Sequence, residues 1–140
     1  MDSSASASAT TAAKLVLLVD DYPDALEVWT FFLEASGCTV ITASTGQAAL
    51  QQADAREPDV IVLDLQLPDL PGLEVGRRLR MQGSTEHSTL IALTGRALTP
   101  ELEEQLGDVF DAVLIKPCEP AELLAQIERT GTRPAVPAAS

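Results

Sequence analysis

Basic residues are scarce in this 140-residue chain. Its 9 Lys and Arg stand against 21 Asp and Glu, a formal net charge of −12. Such a surface repels a phosphate backbone, which argues against direct nucleic-acid binding. Part of the acidity is local, in Glu101, Glu103, Glu104 and Asp108, and reads as a solvated helix face. Cysteine is scarce too. Cys38 and Cys118, with His87 as the single histidine, form no close set and make a poor zinc site. They read as buried or half-buried free thiols. Two cysteines give no disulfide scaffold, so the cytoplasm is the expected compartment. No apolar run approaches the roughly 20 residues of a membrane span, so no membrane role is expected. The first residues, Met1–Ala13, are Ser, Ala and Thr with one acid. They lack the positive start and apolar middle of a secretory signal.

What is present is enough apolar residue, 46%, for one folded domain of ordinary size. Residues 1–13 read as a disordered leader, 14–130 as the domain, and 131–140 as a flexible tail or the start of a linker. Ten residues after Thr130 are too few for a DNA-binding or catalytic unit. The chain is therefore expected to be a single-domain unit or one cut from a larger protein.

Within the domain, strand and helix alternate five times. Lys14–Val19, Thr39–Thr42, Val60–Leu63, Leu90–Leu93 and Ala112–Ile115 read as short strands. Near-continuous apolar runs such as the first suit strands covered on both faces. Asp24–Ser36 carries Ala25, Leu26, Trp29, Phe32 and Leu33 at helical spacing and ends at Gly37. Gly46–Ala55, a segment near Leu73–Met81, a short helix opened by Thr99-Pro100-Glu101, and Pro120–Thr130 complete the helices. Alternation without hairpin signals predicts a parallel α/β sheet with right-handed crossovers. Periodicity alone does not give the strand order.

Five residues sit just beyond the apolar runs: Asp20 and Asp21, Asp64, Thr94, and Lys116. The carboxyl ends of the strands of an open parallel sheet face one crevice, where ligands bind. Three carboxylates, a hydroxyl and an ammonium from four distant segments should therefore meet. Crowded carboxylates repel, and Mg²⁺ would relieve that conflict because it prefers oxygen ligands. Asp64 can act as a nucleophile towards phosphorus and form an acyl phosphate. Lys116 and Thr94 can hold oxygens of the phosphoryl group.

With these pieces in place, the chain resembles the receiver domain of two-component response regulators over about Lys14–Thr130. The matching pieces are Leu17-Leu18-Val19-Asp20-Asp21, Val62-Leu63-Asp64-Leu65-Gln66-Leu67-Pro68, Pro71-Gly72, Ala92-Leu93-Thr94-Gly95 and Lys116-Pro117. The resemblance implies a flavodoxin-like, doubly wound sheet of five strands in the order 2-1-3-4-5 with five helices. It implies Asp64 as phosphoacceptor, and Thr94 and Lys116 as phosphate-contacting residues. It implies Asp20, Asp21, Asp64 and the Gln66 backbone carbonyl around Mg²⁺, with some contacts through water. The implied phosphodonor is a phosphohistidine on a sensor histidine kinase or a phosphotransfer protein, and the implied recipient of the signal is an unidentified downstream protein. A phosphorylation-dependent dimer is among the assemblies it allows. Such a domain assists its own phosphorylation and dephosphorylation but is not a metabolic enzyme. A cis Lys116–Pro117 bond is also in keeping with the resemblance.

One position departs from the family pattern. An aromatic residue usually stands three residues before the lysine and turns inward as the threonine moves; here it is Val113. The signal is then expected to reach the output face weakly or by another route. Gln66 and Arg96 occupy positions that tune phosphate lifetime in the family, and Arg96 could reach over the site. Phe31 falls on the outer side of the first helix beside Glu27 and Glu34, as a single exposed apolar residue or as part of a docking patch for the phosphodonor. Two other functions compete. A haloacid-dehalogenase-like phosphatase would carry its nucleophile on the first strand in an Asp-x-Asp arrangement, whereas the acids after the first strand here are adjacent. A receiver-like module that binds partners without phosphorylation would not need the intact acid cluster.

Overall fold

A computed structural model describes residues 14–130. The expected leader and tail lie outside the described residues. The order of elements is β1 Leu15–Val19, α1 Pro23–Ala35, β2 Thr39–Ala43, α2 Gly46–Arg56, β3 Val60–Asp64, α3 Gly72–Met81, β4 Thr89–Thr94, α4 Pro100–Gly107, β5 Ala112–Ile115 and α5 Pro120–Thr130. The strands form one parallel sheet in the order β2-β1-β3-β4-β5.

Alternation along each central strand sorts its side chains onto two faces. Leu17, Val19, Ile61, Leu63, Leu90 and Ala92 point to one core, closed by Ala49 and Ala53 of α2, Val75 and Leu79 of α3 and Leu106 of α4. Val16, Leu18, Val60, Val62, Ile91 and Leu93 point to the other, closed by Leu33 of α1 and Leu123 and Ile127 of α5. Both faces of the central strands are therefore covered, which accounts for their uninterrupted apolar runs. Among the described residues, no helix is long and apolar enough to cross a membrane.

Local chemistry sets most boundaries. Pro23 occupies the first turn of α1, one residue earlier than the periodicity suggests, because its ring already holds a helical φ. Thr45 caps α2 by accepting the Ala48 N–H, and Thr99 caps α4 by accepting that of Leu102. Gly37 follows α1 with φ 102°, in the left-handed region where glycine is free of strain.

One cation ties the lower end of the molecule together. The Arg80 guanidinium of α3 donates to the carbonyls of Val109, Glu86 and Ser88 and to Asp111 Oδ2. It thereby fastens α3 to the entries of β4 and β5. Three of its four acceptors are backbone carbonyls, which a residue of any type supplies, so the sequence carries little sign of this tie.

Two strand ends differ from expectation in a way that matters for the site. Asp64 and Thr94 are the last residues of β3 and β4, and do not merely follow them. Asp64 is in register with Leu93, and Thr94 with Ile115. The backbone ladder is indifferent to side-chain polarity, so it runs one residue past each apolar run.

Candidate functional site

The chain leaves β1 outward to β2 and then returns to form β3 on the other side of β1. This reversal opens a crevice at the carboxyl ends of β1 and β3, the usual place for a ligand in an open α/β sheet. Asp20, immediately after β1, and Asp64, ending β3, stand at that crevice. Both are 4% exposed, while Asp21 is open to solvent.

A repeated local device aims these side chains. Asp20 Oδ1 accepts the N–H of Tyr22 at 3.0 Å, and Asp64 Oδ1 accepts that of Gln66 at 2.9 Å. Thr94 Oγ accepts that of Arg96 at 3.1 Å. In each case a side chain turns back over its own strand end to bond the backbone two residues on. Thr94 is 1% exposed, and its oxygen is engaged as an acceptor, so its hydroxyl proton remains to be donated.

Lys116 enters from beyond β5. Its N–H donates to the Thr94 carbonyl at 2.8 Å, anchoring the backbone. The peptide bond from Lys116 to Pro117 is cis. The Lys116 ammonium lies 2.9 Å from Asp64 Oδ2 and 3.3 Å from Asp20 Oδ2. Partial burial pulls its pKa down, but hydrogen bonding and charge from Asp64, with a smaller part from Asp20, outweigh this and leave it above the ordinary lysine value.

One carboxylate oxygen from each of Asp20, Asp21 and Asp64 can be chosen so that all three lie within 4.8 Å of one another. Two like charges about 5 Å apart repel by roughly 3 kcal/mol at an effective dielectric of about 20. A single lysine offsets this incompletely. The donor set consists of hard oxygens, and the residues therefore fit a small divalent cation. The Gln66 carbonyl accepts no hydrogen bond among the described residues, while the N–H of the same residue holds Asp64.

With the strand order, the acid trio and the lysine tie in view, comparison with known proteins gives a consistent answer. The profile of the Response regulator receiver domain family matches residues 16–128. The chain belongs to that family. It is 36% identical over 115 residues to the alkaline phosphatase synthesis transcriptional regulatory protein PhoP of Bacillus subtilis, covering 82% of this chain and 47% of PhoP. The receiver domain thus spans about half the length of that relative. Among solved structures, a CheY-like receiver domain protein from Methanospirillum hungatei superposes with a TM-score of 0.80 at 26% identity, covering 86% of this chain and 94% of that one. The receiver domain of sensor histidine kinase PA1611 from Pseudomonas aeruginosa superposes with a TM-score of 0.78 at 31% identity, covering 86% and 98%. That structure has a magnesium ion coordinated in its active-site cleft. The five-stranded order 2-1-3-4-5 and five helices of this receiver agree with the expected flavodoxin-like fold. Phosphorylation-based signalling is the business of the family.

The remaining candidates fall in different places. Arg96 is exposed, and its side chain makes no hydrogen bond or ion pair with the described residues. Val113 is half-buried on β5, in register with Ala92, and packs against the core that Leu98 and Leu102 also join. Phe31 is 76% exposed and Val28 57%, so α1 presents an apolar outer strip flanked by Glu27 and Glu34. Cys38 is a buried free thiol and Cys118 a half-buried one.

One contact at the site had no forerunner in the sequence. Asp69, in the loop after β3, accepts the N–H groups of Gly46 at 2.7 Å and Gln47 at 2.9 Å. These bonds, at the first turn of α2, hold its carboxyl below the usual carboxylate range.

Proposed function

We propose that this receiver domain takes a phosphoryl group onto Asp64 from a phosphohistidine of a sensor histidine kinase or phosphotransfer protein, with Mg²⁺ held by Asp20, Asp21, Asp64 and the Gln66 carbonyl. The reading rests above all on Asp64. It is buried at the crevice, aimed by the Gln66 N–H and joined to the Lys116 ammonium, with two more carboxylates beside it. Bound there, Mg²⁺ would neutralise the acid cluster and the phosphoryl oxygens.

The chain's own groups account for the rest. A carboxylate has about four lone-pair sites, so each Asp64 oxygen keeps one free beside its present partner. One of these oxygens forms the new O–P bond as the P–N bond of the donor breaks and the imidazole departs with the bonding pair. The lysine ammonium neutralises one phosphoryl oxygen as a point charge. The Thr94 hydroxyl donates its proton to another. Water later attacks phosphorus, returns the Asp64 carboxylate and releases inorganic phosphate. The domain thereby assists its own cycle and turns over no metabolite. Its signal passes to a downstream protein, and the cytoplasm is the compartment in which such a donor is met.

Val113 shapes the output. A valine has no ring to rotate between buried and exposed positions, so the Thr94 response travels by backbone and packing shifts. Spectra taken with and without an acyl-phosphate mimic test this. Large shifts confined to Val113 and its α4 and α5 neighbours would contradict it.

The phosphorylation chemistry is tested by incubating the chain with acetyl phosphate and Mg²⁺ and measuring intact mass. Incorporation of one hydroxylamine-labile phosphoryl group is expected, with none in Asp64→Asn. Undiminished incorporation in that variant would overturn the assignment.

A further inference from the structure

The loop after β3 is fastened at both ends of its path. At its base, the Gly72 N–H donates to the Leu65 carbonyl at 2.9 Å, and Gln66 bridges to Pro71. The approach is close: a Cβ on Gly72 would lie 2.4 Å from Leu65 Cα, so only glycine fits there. At its tip, Asp69 clasps α2 with both carboxylate oxygens, one on the Gly46 N–H and one on that of Gln47. The two elements are also pressed together beneath this clasp. A Cβ on Gly46 would meet Val75 Cγ2 at 2.8 Å and Leu70 Cβ at 3.1 Å.

Gln66 belongs to the base. Its N–H orients Asp64, and its carbonyl accepts no hydrogen bond among the described residues. Only Leu67 and Pro68 separate Gln66 from Asp69, so releasing the tip loosens the base that holds the Gln66 peptide. We propose that Asp69 is a positioning residue for the acidic site. By gripping the first turn of α2, it holds the loop in the one path that presents the Gln66 carbonyl to the cation. This rests on the proposed Mg²⁺ site. It adds a residue that touches neither metal nor phosphoryl group and acts through the backbone of another. It also makes α2 a structural support of the site, although α2 itself supplies no ligand.

The test is a Mg²⁺ titration of the full chain, read by the fluorescence of Trp29. This single tryptophan lines a small cavity together with Asp20. Asp69→Ala is expected to weaken Mg²⁺ binding about tenfold, the low end of what loss of a ligand's supporting contact costs. Asp69→Asn removes the same charge but keeps one oxygen to accept an N–H, so it should weaken binding by clearly less. Hydrogen exchange of the Gln66–Leu70 amides without metal should quicken in the same order. Equal losses in the two variants would mean that only the charge matters and would overturn the proposal. So would an affinity in either variant indistinguishable from that of the wild type. If Asp69→Ala fails to fold, Asp69→Asn decides through its exchange rates, and unchanged exchange overturns the idea. A wild-type chain without a Mg²⁺ response would defeat the underlying site itself, an outcome distinct from a responding wild type with unaffected variants.

Discussion

The Lys116 ammonium sits 2.9 Å from Asp64 Oδ2, close enough to act both as the partner of that carboxylate and as a rival to any cation drawn to it. Removing the lysine should therefore have opposite effects on two measurements. A unit charge about 4 Å from another is worth about 1 kcal/mol even in a water-like dielectric. Lys116→Ala should thus tighten Mg²⁺ binding by about fivefold or more, because a competing charge is gone. Phosphoryl uptake from acetyl phosphate should instead slow by about a hundredfold, the usual scale for losing one group that stabilises a transferring charge. Weaker Mg²⁺ binding in this variant would contradict the electrostatic account.

Phe31 lies on the outer side of α1, with Val28 beside it and Glu27 and Glu34 at its flank. If this strip seats the phosphodonor protein, Phe31→Ala removes an aromatic anchor of the kind that dominates interfaces. Transfer from the protein donor should then slow about tenfold or more. Transfer from acetyl phosphate, which needs no docking, should be unchanged. Equal slowing of both reactions would rule docking out and leave Phe31 as one exposed apolar residue among many.

Gly76 faces inward on α3, where a Cβ would come within 2.7 Å of Phe110 Cζ and 2.9 Å of Val109 Cγ1. Its role is close approach and not backbone freedom. Helix propensity alone would favour alanine by roughly 1 kcal/mol. Overpacking costs about 1–3 kcal/mol and should win, because neither neighbour is the end of a flexible chain. Gly76→Ala should lower the urea unfolding midpoint without changing the slope. A rise in the midpoint would show that Phe110 gives way more easily than its packing suggests.

These cases mark what could be read in advance. Asp20, Asp64, Thr94 and Lys116 were legible because each polar residue adjoins an apolar run, and parallel topology carries all the strand ends to one rim. The ends of β3 and β4 were not legible to the residue, because hydrogen bonds continue through Asp64 and Thr94 after the apolar pattern stops. Asp69 and Arg80 were invisible for another reason. Asp69 serves a helix start 23 residues earlier, and Arg80 reaches a carbonyl 29 residues later. Nothing local to either residue names its partner. Gly76 reads as a helix-weakening residue until Phe110 is seen against it.

Cys118 follows the cis Lys116–Pro117 bond, and its thiol is unusually reluctant to ionise. Burial comes first among the causes, followed by the charge of Glu122, a hydrogen bond to it and the charge of Glu119. Together they raise its pKa from the ordinary 9.0 to about 11. The folded chain then holds this proton more tightly than the unfolded chain does. By linkage, the resulting stability is fully present below pH 9.0 and is lost as pH rises through about 11. The urea midpoint should fall over that alkaline window, and Cys118→Ala should make the fall shallower. Alkylation of Cys118 by iodoacetamide, followed in a Cys38→Ala background, should be slow at neutral pH and should rise with an apparent pKa near 11. A rate that already levels off near pH 9.0 would show the thiol to be in ordinary contact with water, and the half-buried position beside Glu122 to be wrong.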